Sequence, residues 1–274
     1  MNRLIIGISE LKSLILTIKT KKGVDFSNYA LSSLKRRVES FMLRFHFQNI
    51  EEVIHKISND EKFYELFLKD ILVSSTELFR DPEFWRELKV YVLNKFKFTE
   101  EIKILIPECN SGEELYTLLI ILDQINMLDR VKILSTSLSH LNVEEIKNAT
   151  IEFKKMEVNS ANFERFHENG NIFDFFIKKG SVVKFNTDLF KNVEIIHHNL
   201  FEDELPGVYN FILYRNKTIY YNQQLKTEAL KKLGSSLKIG GFMAVGIKET
   251  IEFPGVDREF VVISESEKIF KKSN

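Results

Sequence analysis

From residue 81 onward, short runs rich in β-branched and apolar residues alternate with stretches of helical spacing, and this alternation constrains the fold most. Ile102–Ile106 predicts a strand, Glu113–Asn126 a helix, Val131–Ser135 a strand and Leu141–Ala149 a helix. Val193–His197, Tyr209–Leu213 and Gly241–Gly246 predict further strands. A helix from about Asn222 to Leu237 precedes the last of them, with Gly240-Gly241 as its turn. Such an order predicts a mostly parallel sheet covered on both faces, with ligands at the carboxyl ends of the strands. Residues 150–190 fit the alternation poorly. There Phe173–Lys178 and Ser181–Phe185 flank Lys179-Gly180, which predicts a small hairpin inserted into the α/β domain.

Residues 1–70 read as helical throughout. Ser27 is placed to cap a helix carrying Leu31, Leu34, Val38, Phe41 and Met42. Asn49 and Glu52 have the spacing of a capping box, and Phe63, Phe67 and Leu68 continue the pattern in a third helix. The expected division is a helical domain over 1–75 and an α/β domain over 76–274, with the β insertion at 170–190. Asp81-Pro82-Glu83 places a cap, a proline and an acid at the start of the first helix of the second domain. The apolar cluster Leu4–Ile18 is interrupted by Glu10 and Lys12 and falls short of the roughly 20 residues of a membrane span. It predicts an amphipathic helix, with no membrane insertion.

At 274 residues the chain can bury its core without a staple. Its lone cysteine, Cys109, excludes an intrachain disulfide or a multi-cysteine metal site and points to the cytoplasm. Lys+Arg and Asp+Glu both number 39, so net charge draws the protein to neither nucleic acid nor membrane. Locally, Lys35, Arg36, Arg37 and Arg44 share one helix. They form either a solvated face or a docking face for an acidic partner.

The chemistry points to Pro107-Glu108-Cys109-Asn110-Ser111-Gly112-Glu113-Glu114, which joins a strand to a helix. A small-residue loop there lets a ligand reach the free N–H groups of the helix. It has neither the Gly-Lys-Ser/Thr ending of a phosphate loop nor GxGxxG, and its two acids disfavour a phosphate. A cationic ligand offering hydroxyl and amino groups fits, and a sulfonium cofactor has both properties. Nothing near Cys109 marks a base, so it reads as a small buried residue. His197 and His198 are adjacent on a strand and point to opposite faces, so no metal is expected. Arg215 and Asn216, read without context, are better suited to capping the end of a core strand than to a ligand.

At these residues the sequence resembles a known family, the S-adenosylmethionine-dependent chemotaxis-receptor methyltransferases, often called CheR. Ser75-Thr76-Glu77-Leu78-Phe79-Arg80-Asp81-Pro82 is similar to that family's T-E-F-F-R-D-P segment, and Ser111-Gly112-Glu113-Glu114-Leu115-Tyr116 to its S-T-G-E-E-P-Y-S loop. Asn199-Leu200 matches an N-L pair, Tyr214–Tyr220 resembles C-R-N-x-x-I-Y, and Leu34-Lys35-Arg36-Arg37 resembles the family's basic helix. The resemblance implies an α/β, Rossmann-like methyltransferase sheet with an amino-terminal helical domain and a small β insertion. By the same resemblance, Thr76 and Arg80 approach the cofactor and acceptor, and Glu113 or Glu114 binds the methionine end. Asn199 and Leu200 frame the adenine, while Arg215, Asn216 and Tyr220 line the cleft at the methyl group. Arg80, Arg215 and Tyr220 are the implied catalytic residues, and the insertion corresponds to a subdomain that in some members grips a receptor tail. The implied cofactor is S-adenosylmethionine, with S-adenosylhomocysteine as product.

Methylating an ionised glutamate needs no general base, only desolvation and aim. Arg80 or Arg215 can hold an acceptor carboxylate through two prongs, and Tyr220 can add a hydrogen bond. The sequence departs from the family in two places. Ser135-Thr136-Ser137-Leu138 puts Ser137 where an acid usually holds the ribose, and Gly246-Ile247-Lys248-Glu249 replaces G-H-S-E. Three functions follow. The first is O-methylation of glutamates on a chemoreceptor-like protein docked through Lys35, Arg36 and Arg37, with no nucleic-acid partner. The second is a non-catalytic protein-interaction module reusing the fold. The third is methylation of a nucleic acid or another small acceptor, which predicts affinity falling steeply with salt.

Overall fold

The computed structural model describes residues 5–72, 76–167, 170–251 and 257–273. The expected boundary at 75, and with it Ser75, lies outside the described residues. The chain forms two compact units, one of Met1–Val73 with Thr218–Glu228 and one of Ser74–Lys217 with Ala229–Asn274.

The first unit holds α1 (Ile8–Lys22), α2 (Leu31–Arg44), α3 (Ile50–Asn59) and α4 (Glu61–Leu72). Each buries one stripe at helical spacing, such as Leu11, Leu14, Ile15 and Ile18 on α1 and Leu34, Val38, Phe41 and Met42 on α2. The Phe41 ring lies 4.5–6.3 Å, centroid to centroid, from those of Phe45, Phe47, Phe63 and Phe67, so the phenylalanines are packing material. Asn49 caps α3 by accepting from the Glu52 N–H at 3.0 Å, and the Glu52 carboxylate accepts from the Asn49 side-chain amide at 2.8 Å. Ser27 does not cap α2. Its N–H donates to Asp25 Oδ1 at 2.8 Å, and α2 begins only after Ala30, whose N–H donates to the Tyr220 carbonyl at 2.8 Å. Tyr29 and Tyr221 form an antiparallel bridge, so the segment after Lys217 is built into this unit. Among the described residues no helix is long and apolar enough to cross a membrane.

The second unit is built on β1 (Ile102–Ile106), β2 (Val131–Ser137), β6 (Val193–His197), β7 (Tyr209–Tyr214), β8 (Leu237–Val245), β9 (Phe260–Ser264) and β10 (Ile269–Lys272). They form one sheet in the order β6-β2-β1-β7-β8-β10-β9. The first five are mutually parallel, while β10 runs antiparallel to both β8 and β9. Central strands such as β7 are buried along nearly their whole length, which explains why they read as continuous apolar runs. The helices of this unit are α5 (Pro82–Glu87), α6 (Glu113–Gln124), α7 (His140–Asn148) and α8 (Met156–Phe166), and α9 (Gln223–Ser235) belongs to it from Ala229 onward. This is the expected Rossmann-like α/β fold.

Three local expectations change. Gly240-Gly241 is not a turn before a strand but lies within β8. A Cβ on Gly241 would sit 2.9 Å from the carbonyls of Asn210 and Lys238, at a shift in the β7–β8 register. The hairpin of β4 (Phe176–Lys179) and β5 (Val182–Phe185) is joined by β3 (Thr150–Glu152) into a three-stranded antiparallel sheet. Asp81 precedes α5 but makes no side-chain cap, because its carboxylate is held by Arg215.

Candidate functional site

The strand order reverses between β1 and β7, so the ends of these two strands frame the crevice where an open α/β sheet receives a ligand. β1 runs into the loop 107–112 and then α6. Cys109 N–H donates to the Thr136 carbonyl at 2.7 Å, tying the loop to the end of β2. Glu108 has φ 53° and Gly112 φ 88°, both left-handed. At Gly112 a Cβ would lie 2.4 Å from the Tyr116 hydroxyl, which itself donates to the Ile146 carbonyl at 2.9 Å. Only glycine fits this turn into the first N–H groups of α6.

Four buried glutamates converge on these strand ends. Glu113 is 3% exposed, has Lys155 Nζ at 3.8 Å from one oxygen, and leaves Oε2 without a hydrogen-bond partner. Burial pushes its carboxyl above the ordinary range. Glu114 faces the buried Lys217 at 3.6 Å. Glu108 Oε2 accepts from the Tyr214 hydroxyl at 2.5 Å. Glu249 Oε2 accepts from the N–H groups of Gly246 at 2.6 Å and Asn216 at 2.8 Å. Among the described residues the buried Oε2 of Glu113 has no hydrogen-bond partner, and a carboxylate oxygen of that kind suits an ammonium group or another cation.

Ser137 ends β2 and is fully buried, with its hydroxyl donating to Asn110 Oδ1 at 2.9 Å and its carbonyl accepting from His198 N–H at 2.9 Å. Where an acid usually stands in the resembled family, this chain has a neutral hydroxyl–amide pair. Asn199 spends its side-chain oxygen on the Phe201 N–H at 3.0 Å, and Leu200 is buried beside it in sequence. The second departure from the family pattern is milder. Gly246 and Glu249 are retained and buried, and a Cβ on Gly246 would lie 2.7 Å from both Asn216 Oδ1 and Glu249 Oε2. The replaced pair, Ile247 and Lys248, is exposed.

Phe79 and Asp81, at φ 53° and 56°, flank Arg80 in a strained turn. Side chains hold it there. Asn159 Oδ1 accepts from Leu78 N–H, Thr117 Oγ1 from Phe79 N–H, and Trp85 Nε1–H donates to the Arg80 carbonyl, at 2.9–3.0 Å. The half-buried guanidinium of Arg80 makes no ion pair or hydrogen bond among the described residues, and Thr76 is half-buried upstream. Arg215 is already engaged by other side chains. It is 1% exposed, pairs with Asp81 Oδ2 at 2.7 Å and lies 3.8 Å over the Phe84 ring. A two-pronged grip on an incoming carboxylate would have to displace Asp81, so its present contacts are those of a clamp on the Arg80 turn.

Tyr220 falls in the first unit. The Arg37 guanidinium lies 4.2 Å over its ring and also donates to the Ile71 carbonyl. Lys35 faces Glu39 at 3.7 Å, which leaves Arg36 as the exposed cation of the triplet. Sequence reasoning missed Glu108, Asn110, Tyr214, Lys217 and Glu249. The available signal was their position within four residues of a predicted strand end.

Family comparison agrees with this geometry. The profile "CheR methyltransferase, all-alpha domain" matches residues 9–72, and "CheR methyltransferase, SAM binding domain" matches residues 74–269. Cher3 of Pseudomonas putida is 25% identical over 264 residues, covering 96% of this chain and 97% of that protein. The chemotaxis protein methyltransferases of Listeria monocytogenes and Borreliella burgdorferi are 25% and 24% identical, over 86% and 88% of this chain and 88% of each of theirs. The chain therefore belongs to the CheR methyltransferase family and is an S-adenosylmethionine-dependent methyltransferase of that type.

Proposed function

We propose that the acceptor is the side-chain carboxylate of a glutamate on a chemoreceptor-like protein, converted to its methyl ester in the cytoplasm. The observation that carries this reading is Arg80, a half-buried guanidinium without an ion pair among the described residues, in a turn kept strained by three side chains. An anionic acceptor is what such a group suits. S-adenosylmethionine supplies a methyl on a sulfonium and leaves as S-adenosylhomocysteine. Glu113 receives the amino-acid ammonium through its open oxygen, and Gly112 admits the ligand to the backbone of α6. Ser137 and Asn110 read the ribose hydroxyls, with Asn199 and Leu200 beside the adenine. Asn216 holds the Glu249 carboxylate at the end of β7, and Thr76 leads into the Arg80 turn. Arg215 acts through Asp81 as a positioning residue. A glutamate acceptor is already ionised, so no residue has to take a proton. Burial pushes the Cys109 thiol up and keeps it a neutral bystander.

The test is transfer of label from methyl-labelled S-adenosylmethionine to a chemoreceptor cytoplasmic fragment. The expected label is released as methanol by mild base, disappears when the acceptor glutamates become glutamine, and falls about tenfold or more with Arg80→Lys. Label that survives base would place the methyl on another kind of acceptor and overturn the reading.

A further inference from the structure

We propose that Lys217 sets how strongly the site distinguishes the sulfonium cofactor from its uncharged thioether product; the inference rests on the cofactor pocket assigned above. Lys217 follows Arg215 and Asn216 at the end of the central strand β7 and is 8% exposed. Its ammonium faces Glu114 in the first turn of α6 at 3.6 Å. It also feels Glu108 from the loop after β1 and Glu249 from the loop after β8. Burial alone would lower its pKa, but Glu114, with Glu108 and Glu249, raises it above the ordinary lysine value. It is therefore a fixed positive charge. The carboxylates around it are held by donors, Glu108 by the Tyr214 hydroxyl and Glu249 by two backbone N–H groups.

The two ligands differ by one methyl and one positive charge. A pocket walled by glutamates alone would favour the cation strongly, since buried charges interact with little screening. Lys217, standing among those glutamates, subtracts from that field. It weakens the preference for the charged form and keeps the product competitive with it. Neutralising Lys217 leaves every carboxylate in place and restores the lost attraction for the sulfonium. The thioether has no such charge to gain from.

Calorimetric titration with S-adenosylmethionine and with S-adenosylhomocysteine tests this through the ratio of the two affinities, which general loosening of the pocket does not move. Lys217→Met is expected to shift the ratio about tenfold toward S-adenosylmethionine. Lys217→Arg, which keeps the charge, is expected to hold the wild-type ratio. Should Lys217→Met fail to fold, Glu114→Gln must move the ratio the other way, because it removes a negative charge and leaves the lysine. Equal loss of both ligands, or an unchanged ratio in whichever variant folds, would make Lys217 a structural ion-pair partner only and overturn the proposal. Wild-type protein that binds neither ligand would instead remove the cofactor pocket itself, and the proposal with it.

Discussion

Replacing Ser137 with aspartate tests how this site holds the ribose. In the unliganded protein the serine hydroxyl donates to Asn110 Oδ1 at 2.9 Å, and its own Oγ accepts from Ser139 N–H at 3.4 Å. Ser137→Asp deletes the donor, a loss of about 1 kcal/mol, and Asn110 must turn its amide so that Nδ2 donates instead. It also buries a carboxylate at a fully enclosed position. The unliganded protein should therefore lose about 1–3 kcal/mol of stability and a few degrees of Tm. The liganded protein gains. A carboxylate that accepts from ribose hydroxyls is worth about 1.5–3 kcal/mol, against about 0.5–1.5 for a neutral partner. The difference, about 1–2 kcal/mol, predicts roughly 5- to 30-fold tighter binding of S-adenosylmethionine by calorimetry. Thermal unfolding of the same samples checks that the variant is folded. Unchanged or weaker affinity in a folded variant would refute the reasoning and show that the ribose is held by another route.

Gly112→Ala should cost at least about 2 kcal/mol in chemical denaturation, because φ 88° and a Cβ 2.4 Å from the Tyr116 hydroxyl must both be relieved; wild-type stability would contradict the packing described. Glu113→Gln should raise the Tm at pH 7. The folded pKa of Glu113 lies above its ordinary 4.5, so this group costs stability as pH rises through and above that value; a Tm-versus-pH curve unchanged by the substitution would contradict it. Arg36→Glu should weaken binding of a chemoreceptor fragment severalfold with cofactor titration unchanged, whereas parallel loss of both would tie the basic helix to cofactor binding. Arg37→Glu should instead lower the Tm, since it breaks the contacts with Ile71 and Tyr220; a fragment-binding defect at full stability would contradict that.

The central parallel strands were legible because they are buried on both faces and read as mostly apolar runs, as in Phe211–Tyr214, whereas the edge strand β6 is only partly buried. The loop at Gly112 was legible for a local reason, a strand followed at once by small residues and a helix. What escaped depends on contacts between residues far apart in sequence. β10 is antiparallel and takes its register from β8, with Phe270 opposite Met243, and no local pattern announces that pairing. Arg215 looked available as a ligand because nothing near it in sequence neutralises it; its partner, Asp81, is 134 positions away. Asp81 looked like a helix cap for the same reason. Lys217 went unremarked because a lysine after a strand usually faces water, whereas here it is 8% exposed and held by Glu114 from another element. Tyr220 reads as part of one motif with Arg215, yet the boundary between the units falls between Lys217 and Thr218 and puts Tyr220 in the helical unit.

Calorimetric titration of the wild-type protein with S-adenosylmethionine, beside Glu113→Gln, tests the central claim most directly. The pocket at the ends of β1 and β7 predicts saturable one-to-one binding in the micromolar range. In Glu113→Gln that binding should weaken by about ten- to a hundredfold, the value of one charge-assisted contact of about 1.5–3 kcal/mol. No heat of binding at millimolar ligand, or full wild-type affinity in the folded variant, would contradict the account.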